Sequence, residues 1–152
     1  MSGFTRFIIP AIVALAVTTT GCQGQKKTTD IGATMKGEKA SLAGKNWKLE
    51  SLSGVPVVGR NAAGEAYIKF GADSNRISGN TGCNNFFGSY NLPAPGKITI
   101  KQVGSTKRAC PNMDVEMNYL KALNTATNYS VSGDMLMLND GDNKELAKFR
   151  AR

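Results

Sequence analysis

The chain has 152 residues, with 19 Lys and Arg against 11 Asp and Glu for a net charge of +8, enough for one modest domain. Its composition, 41% apolar, 7% aromatic and 20% charged, is that of a globular chain rather than a disordered or fibrous one. It contains no histidine, which excludes the Ser-His-Asp triad, the Cys-His dyad, the HExxH zinc site and the usual neutral-pH proton shuttle.

Residues 1–21 have the layout of a signal peptide. Met1–Arg6 carries one cation and no anion, Phe7–Val17 is an apolar run, and Thr18-Thr19-Thr20-Gly21-Cys22 follows. The run falls short of the roughly 20 apolar residues that cross a hydrocarbon core. Thr19-Thr20-Gly21-Cys22 is similar to a bacterial lipobox, with Thr19 where Leu is usual. Cys22 is therefore expected to be diacylated, with palmitate, and to begin the mature chain. Two acyl chains give a stable membrane anchor. Gln23 rather than Asp comes next, which by the bacterial sorting rule directs a lipoprotein to the outer membrane, facing the periplasm. Ordinary cleavage after the small residues is the alternative and would leave a soluble periplasmic or secreted protein. Residues 22–41 hold four lysines, two acids and no aromatic residue. That composition predicts a lipidated N-terminus followed by a flexible linker, whose lysines can touch anionic headgroups.

Cysteine parity supports lipidation. Of three cysteines, an acylated Cys22 leaves Cys83 and Cys110 as a pair, expected to be a disulfide in an oxidising compartment. Two buried free thiols are the alternative. A bond would close a loop of 27 residues (110 − 83), for which loop entropy gives roughly 3–4 kcal/mol.

The domain is expected over residues 42–152, with 14 basic and 9 acidic side chains. Trp47, Leu49 and Ser51 alternate with Lys48 and Glu50; Ala66, Ile68 and Phe70 alternate with Tyr67 and Lys69; Ile98 and Ile100 alternate with Thr99 and Lys101. Period two with one charged face predicts half-buried antiparallel strands. Shorter strands are expected around Ile77, Tyr90, Val131 and Phe149, and Met135–Leu138, apolar on both faces, predicts a central or doubly covered strand. Ser53-Gly54, Gly71, Gly133-Asp134 and Asp140-Gly141 predict turns. Residues 112–126 break the pattern. Met113, Met117, Leu120 and Leu123 form one apolar stripe on a helix, with Asn112 as N-cap and Asp114 and Glu116 at its positive start. The fold class is α+β: a curved antiparallel sheet or half-open β-barrel with one packed helix.

Two segments carry identity. The first runs from Gly79 through Gly82, Cys83, Asn84, Phe86 and Gly88 to Tyr90; the second holds Thr106, Ala109, Cys110, Pro111, Met113 and Glu116. With the opening Leu42-Ala43-Gly44-Lys45-Asn46-Trp47-Lys48-Leu49, they resemble the META domain of bacterial HslJ-like heat-shock lipoproteins over Leu42 to Phe149. The resemblance implies an envelope protein linked to stress response and, in some relatives, to motility or virulence. The residues themselves have structural roles to play. Gly79, Gly82 and Gly88 permit positive φ or close backbone approach, Asn84 and Asn85 suit turns, Phe86 and Tyr90 are apolar anchors, and Pro111 fits ahead of a helix.

Other chemistries find little support. A phosphate-binding loop needs Lys-Ser/Thr after its last glycine, where Gly88 is followed by Ser89-Tyr90. The segment from Asp140 to Glu145 lacks calcium-loop spacing, and two cysteines without histidine fall short of a zinc site. No catalytic residue, metal or cofactor is expected. Lys97, Lys101, Lys107 and Arg108 form a candidate basic patch without interleaved aromatics, so nucleic acid is not an expected partner. The expected function is non-enzymatic: a lipid-anchored envelope protein that binds an envelope protein or an anionic envelope component. The alternative is a carrier holding a small apolar ligand in a half-open barrel, in a pocket lined by Met113, Met117 and Leu136.

Overall fold

The computed structural model describes residues 31–57, 64–111 and 113–152. The signal peptide, Cys22 and the Asn112 cap lie outside them. The elements are α1 (Ile31–Leu42), β1 (Asn46–Leu52), β2 (Val55–Pro56), β3 (Ala66–Phe70), β4 (Arg76–Thr81), β5 (Asn85–Asn91), β6 (Thr99–Ser105), α2 (Met113–Thr125), β7 (Asn128–Ser132), β8 (Met135–Asn139) and β9 (Glu145–Ala151).

All strand pairs are antiparallel, in the order β6-β5-β4-β3-β1-β9-β8-β7, with β2 folded back on β1. The chain thus lays down one half of the sheet, crosses it with α2, and returns to complete the other half beside β1. The two outer edges meet at one end only. There the Ile98 amide donates to the Thr127 carbonyl at 3.0 Å and the Tyr129 amide to the Gly96 carbonyl at 2.9 Å. The result is a half-open barrel with α2 packed into it, the architecture the alternation implies.

The core follows the parity of the strands. Trp47, Leu49, Ala66, Ile68, Phe70, Ile98 and Ile100 are all buried, while Lys48, Glu50, Tyr67, Lys69, Thr99 and Lys101 are more exposed. Burying a large apolar side chain contributes about 1.5–3 kcal/mol, so this face outweighs any local preference. β8 lies between β7 and β9 with Leu136 and Leu138 fully buried, whereas Met135 and Met137 are only half covered. The strand is central, as expected, and its second face is only partly covered.

Turn chemistry sets the register. Ser53 and Gly54 both have positive φ (48° and 78°), the signature of a type I′ hairpin between β1 and β2. Gly133, at φ 60°, starts the two-residue β7–β8 turn. Gly79 is required for another reason: a Cβ there would run into the Tyr67 carbonyl and come within 2.6 Å of the Phe86 ring.

Two expectations need correction. First, the helix Ile31–Leu42 takes in residues 31–41, placed in the flexible linker by their composition. Its described contacts are polar rather than an apolar stripe: the Glu38 carboxylate accepts from the Gly96 amide at 3.0 Å and Lys39 donates to Asn75 at 3.0 Å. Leu42 then enters the core, and its carbonyl accepts from Trp47 Nε1 at 2.8 Å. Second, the buried face of α2 is Val115, Glu116, Tyr119, Ala122 and Leu123. Met113 and Met117 are 36% and 62% exposed, so the methionine end of the expected stripe points away from the core, while Leu120 packs against it and Leu123 is fully buried. The helix is rotated to centre Tyr119, which packs between Phe86 and Phe149 at centroid distances of 5.5 and 5.8 Å. With Leu136 fully buried and both methionines outside, these three residues line no common pocket.

Candidate functional site

The identity-bearing segments converge where β4 turns into β5, beneath the start of α2. Gly82 takes φ 95° in this turn, and the Thr81 amide and Asn84 carbonyl close it at 2.8 Å. Asn84 is thereby turned inward. Thr81, Asn84 and Glu116 are 1%, 0% and 6% exposed, and such buried polar groups are costly unless paired.

Pairing is complete at Asn84. Its Nδ2 donates to the Glu116 carboxylate at 2.9–3.1 Å and to the Arg108 carbonyl at 3.0 Å. Its Oδ1 accepts from the Thr106 hydroxyl and the Arg108 amide, each at 2.8 Å. All four hydrogen-bonding positions of an amide side chain are thus used. Thr81 Oγ1 donates to Glu116 Oε2, which Asn84 also reaches, at 2.8 Å and accepts from the Asn84 amide at 3.0 Å. Glu116 sits in the first turn of α2, where the helix dipole also favours its charge.

Residues 106–111 form a strap from β6 to α2. Asn84 holds the strap at Arg108, and a disulfide between Cys83 and Cys110 holds it two residues later. The bonded pairing is the one cysteine parity implies. Phe86 enters the core, Tyr90 meets Phe70 edge-on at 5.0 Å and donates to the Gly71 carbonyl at 3.1 Å, and Gly88 lets Ile77 and Val103 close in. Ala109, Pro111 and Met113 are exposed and add no polar group to this hub.

Glu116's role is the part that sequence reasoning missed. Asn84 also differs from expectation: it reaches 24 residues away to Arg108 and 32 to Glu116 rather than only serving its own turn. Asn85 pairs instead with Asn80 at 2.9 Å. The candidate basic patch does not assemble as one surface. Lys97 lies before β6, donating to Asn128 at 2.6 Å, whereas Lys107 and Arg108 lie beyond its far end, roughly 30 Å of extended chain away. Asp140 Oδ1 accepts from the Asp142 and Lys144 amides at 3.0 and 2.9 Å, an Asx-type turn.

Three tyrosines are perturbed. Burial pushes Tyr119 well above its ordinary value, and its hydroxyl has no partner among the described residues. Burial also raises Tyr90. Tyr129 is raised by burial and then by the facing Glu38 carboxylate. The described cavities are shallow; one of about 230 Å³ lies between the β1–β2 hairpin and the start of α2, lined by Leu52, Val55, Asp114 and Asn118 among others.

Fold and hub together define an antiparallel half-barrel whose helix is locked to the sheet by an Asn-Glu-Thr cluster and one disulfide. The family model of the META domain matches residues 40–152, and the chain belongs to the META domain family. Among solved structures, the chain is similar to a protein from Burkholderia xenovorans determined by NMR. The TM-score is 0.60 at 24% identity, over 77% of this chain and 88% of that one. It is also similar to a duf4847 family protein from Bacteroides vulgatus, at TM-score 0.53 and 18% identity, over 74% and 96% of the respective chains. At these identities the likeness shows the fold. No curated protein matches.

Proposed function

We propose that this chain is an HslJ-like, lipid-anchored envelope protein of the stress response that acts by binding and performs no turnover. The observation that carries the reading is the saturation of the hub. A general base must reach a substrate proton, and Glu116, 6% exposed, has its Oε2 held by Thr81 and Asn84 and its Oε1 by Asn84. The family motif therefore supports a surface rather than serving as one. Anchoring rests on the apolar run before Cys22 and on the disulfide, which leaves Cys22 as the odd cysteine. The partner class is an envelope protein or an anionic envelope component.

Two measurements test the reading. Intact mass of the membrane-extracted protein is expected to show a chain beginning at Cys22 with the mass of its acyl groups; an unmodified soluble form from native cells would contradict the anchor. Ester, glycoside, peptide and phosphoester substrates are expected to stay at background. A turnover that co-purifies with the protein and disappears in Glu116→Gln would overturn the binding role.

A further inference from the structure

The outer face of the β3–β6 half bears a charge pattern unlike the rest of the molecule. These four strands carry Lys69, Arg76 and Lys101 and no Asp or Glu. Among the described residues, Arg150–Glu50 and Arg150–Asp134 lie in the other half, and Lys48–Glu65 and Arg152–Glu65 join cations of that half to the residue just before β3. Lys69, Arg76 and Lys101 enter none of these pairs, which leaves the positive charge of the four strands unbalanced.

Phe87, 64% exposed, stands in the middle of the unbalanced face. Register aligns Lys69, Ser78, Phe87 and Gly104 in one row across the four strands. A Cβ on Gly104 would lie 3.2–3.3 Å from Phe87 Cζ and Cε2. The ring therefore reaches over the glycine backbone and leaves a face to solvent. One row along lie Arg76, Ser89 and Lys101, about 7 Å away at two residues per row. Beside them is a dent of about 140 Å³ lined by Ser89, Asn91, Thr99 and Lys101. It lies against the β5–β6 bulge, in the stretch where Gln102 has φ 56°, a backbone state costly for a side-chain-bearing residue and frequent at ligand sites.

We infer that this face binds an acidic polysaccharide, a chain of hydroxylated rings bearing carboxylates. One ring stacks on Phe87, the flanking cations take carboxylates, and Ser78, Ser89 and Asn91 take hydroxyls. A curled sheet's outer face suits an extended polymer, whereas a small molecule needs a concavity. The other ring of this face, Tyr67, lies two strands from Phe87 and is capped by Lys69 at 5.5 Å, so the pair offers little apolar area for insertion into lipid and no successive stacking platforms for single-stranded nucleic acid. The inference deepens the binding role proposed above; it does not depend on acylation.

The test is the affinity of the purified protein for a short oligogalacturonate, beside a neutral glucan of equal length, a single-stranded oligonucleotide and phosphatidylglycerol vesicles. The oligogalacturonate is expected to bind in a salt-sensitive manner and the glucan more weakly. Phe87→Ala is expected to weaken binding about tenfold, the scale of one lost stacking contact, with Phe87→Trp retaining it. Arg76→Gln and Lys101→Gln should each weaken binding and flatten its salt dependence, while Lys148→Gln on the other half leaves it unchanged. An unaltered thermal midpoint in Phe87→Ala shows that the fold is intact. Absent binding, equal binding of the glucan, indifference to Phe87→Ala, or preference for oligonucleotide or vesicles would each overturn the inference. None of these results alters the acyl mass at Cys22, which tests the envelope reading separately.

Discussion

Replacing Asn84 by Ala is expected to cost the domain about 3–5 kcal/mol, because it strands a buried carboxylate and several backbone and hydroxyl groups at once. The groups left behind are Glu116, the Arg108 amide and carbonyl, and the Thr106 hydroxyl. At about 4 °C per kcal/mol for a domain of this size, the thermal midpoint falls by roughly 15 °C. Asn84→Asp is expected to be no better, since a second carboxylate faces Glu116 and cannot donate to the Arg108 carbonyl. Denaturant unfolding measures both variants. A loss below about 1 kcal/mol, the worth of one ordinary hydrogen bond, would mean that the hub is not what holds the strap.

The second large effect concerns the disulfide. Cys83 and Cys110 close a loop of 27 residues, so replacing both by Ala is expected to remove about 3–4 kcal/mol. Secondary structure should persist, because Asn84 still grips the strap at Arg108. The bond and the amide hold adjacent points of one segment, and neighbouring constraints of this kind are not additive. Adding reductant to Asn84→Ala is therefore expected to release the strap and the start of α2 together, seen as loss of hydrogen-exchange protection there. Retained protection in that state would show that packing of Tyr119 and Leu123 suffices to seat the helix.

How far the sequence reveals this arrangement depends on the kind of information involved. Strands are legible wherever the two faces differ in polarity, as in Trp47–Ser51 and Ala66–Phe70. The orientation of α2 is not, because hydrophobicity ranks Met113 and Met117 above Glu116 and Tyr119. A saturated acceptor and a ring wedged between Phe86 and Phe149 decide the matter instead. α1 is illegible for a related reason: its described holds are Glu38 on a backbone amide and Lys39 on Asn75, contacts that give no periodic stripe.

The hub is legible as a set of residues and illegible as a mechanism of cohesion. Resemblance groups Asn84, Thr106 and Glu116, yet two of Asn84's four partners are backbone atoms of Arg108, for which any residue type but proline would serve. Phe87 is the opposite case. Its inward neighbour Phe86 and strict alternation place it outside, and the absence of acids from β3–β6 is visible in the sequence. The register that lays it on Gly104 depends on the β5–β6 bulge, which no alternation encodes.

The central claim is that the motif residues form one mutually dependent structural unit rather than a reactive centre. A double-mutant cycle joining Asn84→Ala and Glu116→Ala, measured by denaturant unfolding, tests it most directly. Once either partner is gone, removing the other should cost far less, giving a coupling energy of about 1–3 kcal/mol. Additivity within about 0.5 kcal/mol, the behaviour of independent sites, would contradict it.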